Sequence, residues 1–267
     1  MTLFHLLMLA VIQGITEFLP ISSSGHLILY PLLTGAPDQG LAIDVAVHVG
    51  TLGAVIFYFW SDVARALAGL PKLLRWQIDD QGAWLALCLV VATIPVVVAG
   101  LLLKLSGLDV MMRSVAVIGW TMLIFGIVLW WADQQFDHVR TAEQWTLKHA
   151  IILGLWQVIA LIPGTSRSGI TITGARVLGY KREDAARLSM LMSIPTILAS
   201  GVLLGADVVG QADFAMLRDG AIGAAFAFVA AYAALSLMMR FLKVYSYTPY
   251  VIYRVILGAV LLVIAYT

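Results

Sequence analysis

Two of the eight apolar runs in this chain are broken midway by residues that a lipid bilayer tolerates badly, and those breaks restrict the fold most. Residues 3–35 are split by Pro20-Ile21-Ser22-Ser23-Ser24-Gly25, and residues 149–178 by Pro163-Gly164-Thr165-Ser166-Arg167-Ser168-Gly169. The arm after each break is about ten residues, or ~15 Å of helix, half of a ~30 Å hydrocarbon core. Each run therefore reads as a re-entrant hairpin that dips into the membrane and returns. The other six runs, 41–60, 84–104, 114–132, 185–206, 219–239 and 249–266, have the roughly 20 apolar residues of a crossing helix. Trp60, Trp84, Trp130 and Trp131 sit at their ends, at the level the amphipathic indole prefers.

Composition agrees. Of 267 residues, 61% are hydrophobic and 12% charged, with mean hydropathy +0.96, against about 25% charged in a soluble domain. The expected class is an all-α, polytopic membrane protein. A net charge of +1 points to no nucleic-acid partner. The single cysteine, Cys88, lies in an apolar run and leaves neither an intramolecular disulfide nor a cysteine-based metal cluster. The N-terminus lacks the basic region and cleavage site of a signal peptide, so the first run is expected to belong to the folded protein.

Charge places the loops. With both hairpins re-entrant, segments 61–83, 133–148, 181–187 and 240–248 share one face and hold ten of the sixteen basic residues. The opposite face holds Lys104, Arg113 and Arg218. This is a positive-inside pattern, and it puts both termini outward. A crossing at 149–178 would move Lys181, Arg182, Arg240 and Lys243 outside, so the re-entrant reading is preferred.

The chain also repeats. A shift of 144 residues carries His5 onto His149, Gln13 onto Gln157, Ser22 onto Ser166, Ser24 onto Ser168 and Gly25 onto Gly169. Residues 1–132 and 149–267 are each a hairpin plus three spans, joined by a cytoplasmic connector at 133–148. Three is odd, so the second repeat is inserted upside down. Inverted repeats with broken helices place their polar site where the repeats meet.

Irregular backbone survives in a membrane only where it lines a protein cavity. Pro20 breaks the first arm and Gly25 permits a tight return, so three hydroxyls and the free amides of the next half-helix face that cavity. Such amides bind anions, phosphate above all. The second turn adds Arg167, whose planar fork suits bidentate phosphate contact, and an arginine at mid-membrane is costly enough to be read as functional. Serines and glycines of membrane helices are often packing positions, and Glu17, His26 or Arg167 alone could be structural hydrogen-bonders. Converging on one cavity, they read as an oxyanion site with a nucleophile, a base and a cationic clamp. Asp44 and His48, one helical turn apart, either line the cavity or hydrogen-bond at the interface. Arg254, inside the last span, either snorkels to the cytoplasmic face or serves the site.

"QGITEFLPISSSGH" together with "PGTSRSG" resembles the undecaprenyl-diphosphate phosphatase family, the bacitracin-resistance type of integral membrane enzyme, over essentially the whole chain. The resemblance implies hydrolysis of undecaprenyl diphosphate to the monophosphate and inorganic phosphate, recycling the lipid carrier of cell-wall glycan synthesis. It also implies dependence on a divalent cation (Mg2+ or Ca2+) and a site reached from the outer side of the bacterial cytoplasmic membrane. The family's acidic motif falls on Gln13 and Glu17, its serine run on Ser22, Ser23, Ser24, Gly25 and His26, and its second motif on Pro163 through Gly169. There Arg167 is the phosphate ligand, flanked by Thr165, Ser166, Ser168 and Gly169. Many members carry Glu where this chain has Gln13, and an amide oxygen is a weaker ligand for a hard cation. A cation bridging Glu17 and the substrate's phosphates is therefore expected. Either Ser23 or water attacks phosphorus, His26 moves the proton, and Glu17 holds the cation or shuttles a proton. Two rivals stand beside an enzyme: a lipid-phosphate flippase using the same anion site, and a structural scaffold, which leaves the polar turns unexplained. Self-association as a homodimer stays open.

Overall fold

A computed structural model describes residues 2–35, 40–108, 112, 114–136, 138–209 and 214–267. Among them are eleven α-helices and one 3-10 turn. The first hairpin is α1 (Leu3–Phe18) and α2 (Ser23–Thr34), followed by α3 (Leu41–Tyr58), α4 (Trp60–Leu74), α5 (Gln81–Ser106) and α6 (Val115–Gln135). A connector holding the 3-10 turn Ala142–Gln144 leads to the second hairpin, α7 (Leu147–Ile159) and α8 (Arg167–Val177). Then come α9 (Arg182–Val209), α10 (Phe214–Phe241) and α11 (Thr248–Tyr266). Six of these helices, α3, α5, α6, α9, α10 and α11, are long and apolar enough to cross a membrane. The chain is a multi-pass membrane protein. The half-helices that follow the breaks are 12 and 11 residues long, too short to span one.

Both hairpins start the same way. Thr2 accepts a hydrogen bond from the His5 amide at 3.3 Å, and Thr146 accepts one from the His149 amide at 3.2 Å. Each threonine satisfies a first-turn donor that the helix cannot satisfy itself. The helices then pack in matching pairs: α1 on α10 and α5 on α7, α3 on α10 and α5 on α9, α1 on α2 and α7 on α8. One buried core joins Phe18 of the first hairpin and Leu153 of the second to Leu52 and Val55 of α3 and Leu191 and Met192 of α9.

One expectation needs correction. The segment 61–83, read as a loop, begins as helix α4. Asp62, Ala66 and Gly69 are its buried face, and it packs on α5. Leu67, Leu70 and Leu74 are exposed, an outward apolar stripe suited to the headgroup boundary. On the same side of the molecule Asp62 pairs with Arg187 of α9 at 2.6 Å, and buried Asp133 pairs with Arg176 of α8 at 2.8 Å and Arg182 at 3.0 Å. The connector carboxylate Glu143 is held below its ordinary range, chiefly by a hydrogen bond from Arg187.

Candidate active site

The two breaks fold into the same turn. Ser22 (φ 72°) and Ser166 (φ 70°) both sit in the left-handed region that non-glycine residues seldom enter, each as the residue that opens a half-helix. In each turn that serine's hydroxyl lies 3.1 Å from the hydroxyl two residues on, Ser22 to Ser24 and Ser166 to Ser168. The turns then bond to each other: the Gly164 amide donates to Ser24 Oγ at 3.3 Å, and Ser168 Oγ donates to the Leu19 carbonyl at 3.0 Å. Gly164 has φ +85°, and a Cβ there would stand 2.2 Å from Thr121 Oγ1, so only glycine fits this contact.

Behind the turns lies Arg254. It is fully buried and donates to five carbonyls: Pro20 at 3.2 Å, Gly164 at 3.2 Å, Thr165 at 2.9 Å, Thr121 at 3.3 Å and Met122 at 3.2 Å. A break in a membrane helix strips carbonyls of their partners and no water replaces them. One guanidinium with five donors satisfies carbonyls of both turns together. Of the two readings of Arg254, snorkelling toward the cytoplasmic face is excluded, because those carbonyls hold the side chain in the interior.

In front of the turns is a cavity of about 710 Å³, and Glu17 lies on its wall. Its Oε1 accepts from Arg167 Nη2 at 3.0 Å, and its Oε2 accepts from Ser23 Oγ at 3.0 Å and from Gln13 Nε2 at 2.9 Å. His48 Nε2 stands 3.8 Å from the same oxygen. The other terminal nitrogen of Arg167, Nη1, is buried with no partner. His48 Nδ1 meets the Asp44 carbonyl at 2.7 Å; a carbonyl only accepts, so Nδ1 bears the proton and Nε2 is left to the cavity. This set can hold an anion on Arg167 and the turn amides while Glu17 receives a proton from Ser23 or from a water in its place.

The family description "Bacitracin resistance protein BacA" matches residues 6–260. The chain belongs to the BacA family. It is 69% identical to the undecaprenyl-diphosphatase of Roseobacter denitrificans and 70% identical to that of Dinoroseobacter shibae, in both cases over the full length of both chains. A more distant relative, undecaprenyl-diphosphatase 1 of Rhodospirillum rubrum, is 45% identical over all of this chain and 96% of its own.

In this BacA-family cavity the structure gathers Glu17, Ser22, Ser23, Ser24, Ser166, Arg167, Asp44 and His48. Thr165 and Ser168 are fully buried, outside its lining, and Gly25 and Gly169 lie within the turns. His26 is placed elsewhere. Its Nδ1 donates to the Ser22 carbonyl at 2.7 Å and its Nε2 accepts from the Tyr253 hydroxyl at 2.6 Å, with the two rings stacked. Both ring nitrogens are engaged away from Ser23. Sequence reasoning missed Thr196 and Ser200, which line the cavity from α9; two hydroxyls four residues apart in an apolar span, just after Pro195, were the available signal.

For a divalent cation, the lining offers the carboxylates of Glu17 and Asp44 and the imidazole of His48. Among the described residues no group of three or more His, Cys, Asp or Glu forms a cage. Gln13 faces Glu17 through its amide nitrogen, a donor's orientation rather than a ligand's. A cation here would therefore depend on the substrate's own phosphates for most of its ligands, the usual manner for Mg2+.

Proposed function

We propose that this chain hydrolyses undecaprenyl diphosphate to undecaprenyl phosphate and inorganic phosphate, the carrier-recycling step that underlies bacitracin resistance. The observation that carries this is Glu17, which accepts hydrogen bonds from Ser23 and Arg167 at once. It does so in a chain 69% identical, end to end, to an undecaprenyl-diphosphatase.

The terminal phosphate binds Arg167 through its unpartnered Nη1 and the first-turn amides of α2 and α8. Ser23 Oγ attacks the terminal phosphorus as its proton passes to Glu17. The bond from that phosphorus to the bridging oxygen breaks, Glu17 returns the proton to that oxygen, and undecaprenyl phosphate leaves. Water then attacks the phosphoserine, its proton travelling by Glu17 back to Ser23 Oγ. In the shorter variant water attacks the diphosphate directly and Ser23 only positions it. Most of the rate acceleration lies in positioning and charge neutralisation. Glu17 would hold a divalent cation, Mg2+ or Ca2+, together with the substrate's phosphates, and the cation would supply further neutralisation of their charge. His26 fixes the Ser22 carbonyl, and the proton role first assigned to it passes to Glu17.

The scaffold is two inverted repeats, 1–132 and 149–267. The matched helix pairs, the matched threonine caps and the matched left-handed serines support that reading. Both termini face outward from the cytoplasmic membrane, an orientation that the basic-residue asymmetry supports, and the site opens to the outer side. An impermeant thiol reagent should label Thr267→Cys from outside and Lys243→Cys only after permeabilisation.

The deciding experiment is phosphate release from undecaprenyl diphosphate by purified protein in detergent, with and without chelator. Multiple turnovers, slowed at least ~10-fold by chelator, are expected. No release from folded protein overturns the reading.

A further inference from the structure

The cavity has a polar floor and an apolar mouth, and the mouth has a direction. On α3 the lining runs Leu41, Val45, Val49; on α9 it runs Leu198, Gly201, Val202. Toward the opposite ends α3 and α9 pack together, with Leu52 and Leu191 in one buried core. At the mouth the helices expose the same kind of residue: Val49 is 55% exposed, Leu198 51% and Val202 77%. Midway lies Gly201, and a Cβ built on it would meet nothing within 4 Å. Glycine in a helix interior costs stability relative to alanine; here no neighbouring atom demands it, and what it leaves is space.

We propose that the hydrocarbon chain of the substrate leaves the cavity between α3 and α9, across Gly201. The proposal rests on the phosphatase reading above. Three features commit the mouth to that occupant. The gap is continuous with the cavity that holds Arg167 and Ser23, so one molecule with a diphosphate head and an apolar tail fills both. Its walls are branched aliphatic side chains, suited to a branched hydrocarbon. The other large apolar groove, about 620 Å³ between α1 and α10, shares no lining residue with the phosphate cavity, so a chain lying there is cut off from the reacting phosphorus.

Gly201→Trp should raise KM for undecaprenyl diphosphate at least ~10-fold while kcat stays within ~3-fold. A second measurement does not depend on the bulky variant folding. In Gly201→Cys with Cys88→Ala, maleimide labelling in detergent should slow at least ~10-fold with undecaprenyl phosphate, the chain-bearing product, and not with inorganic pyrophosphate. Equal labelling with and without undecaprenyl phosphate, or equal protection by pyrophosphate, overturns the α3–α9 exit even when the same sample releases phosphate. Absence of any phosphate release by wild type overturns the phosphatase reading instead, so the two failures are told apart.

Discussion

The two turns share a backbone and differ in chemistry. The shift that carries Ser22 onto Ser166 also carries Ser23 onto Arg167, Glu17 onto Leu161 and His26 onto Ile170. The first helical residue of each turn thus bears a polar group that lines the cavity, a hydroxyl in one half and a guanidinium in the other. Both reach the same carboxylate, Ser23 to Oε2 and Arg167 to Oε1 of Glu17, each at 3.0 Å. The carboxylate itself exists in one half only. Two turns of one backbone thus offer two equivalent cavity-facing positions, and the side chain at each decides what it can do. Three differences distinguish the turns, and Arg254 bonds to carbonyls of both.

Arg254 is the largest lever, because it serves both turns at once. Arg254→Met removes donors from five buried carbonyls. Thr121 and Met122 lie inside α6, so the carbonyls stranded are those of Pro20, Gly164 and Thr165; at about 1–3 kcal/mol for each, the loss is on the order of 3 kcal/mol or more. The variant should yield little folded protein, or melt far below wild type in detergent. A normal melting temperature with intact activity would mean that the turns hold their shape independently and that the shared clamp is incidental.

Next in size are the two partners of the cross-repeat pair. Arg167→Ala and Glu17→Gln should each abolish measurable phosphate release. Arg167→Lys keeps the charge without the planar fork and should lose roughly 10²–10³ in turnover, the scale of one oxyanion donor. Losing one partner strands a buried charge, so melting temperatures must accompany the rates. Near-normal turnover in the lysine variant would reduce Arg167 to a point charge, and the second turn would then differ from the first by charge alone.

Most of this scaffold could be read from the chain, because length and apolarity fix a membrane span and a proline-serine-glycine break interrupts one. The α4 helix was misread for a reason of the same kind: its charged residues marked a loop, although Leu67, Leu70 and Leu74 follow helical spacing. Side-chain direction is where the sequence is silent. His26 is three residues from Ser23 along the chain, but Tyr253, on a helix more than two hundred residues later, draws its ring away from the cavity. His48, far from Ser23 in sequence, faces Glu17 instead. Arg254 was visible as a charge in a span; only the positions of five carbonyls showed where it points.

The serines test the comparison with one substitution in each turn. Ser23→Ala removes the hydroxyl that donates to Glu17 and should cost about 10²-fold in turnover. Ser166→Ala removes the acceptor for the Gly169 amide, one cap worth about 1 kcal/mol, and should lower stability more than rate. Phosphoserine trapped by rapid quench would establish the covalent route. A Ser23→Ala enzyme within a few-fold of wild type would show direct attack by water and return both turns to the same role, that of anion cradle.

The smallest expected effect decides what His26 is for. The strained carbonyl segment at Ser22 is tied in the first turn by the His26 ring at 2.7 Å, whereas the Ser166 carbonyl is tied by the Ile170 backbone amide at 2.9 Å. The second turn also has a side-chain cap, Ser166 accepting from Gly169, and the first has none. The imidazole therefore compensates for a weaker turn, and a left-handed non-glycine residue costs on the order of 1–3 kcal/mol to hold. His26→Ala should lose about 10-fold in turnover. His26→Asn, which keeps a donor near the Nδ1 position, should recover to within ~3-fold, and Tyr253→Phe, which removes only the hydroxyl on Nε2, should fall no more than ~2-fold. A proton-transfer role for the imidazole predicts a different order: alanine and asparagine equally inactive, and an acid limb in the kcat profile that disappears in both. Measuring kcat against pH for the three variants separates a ring that moves protons from one that holds Ser22 in place.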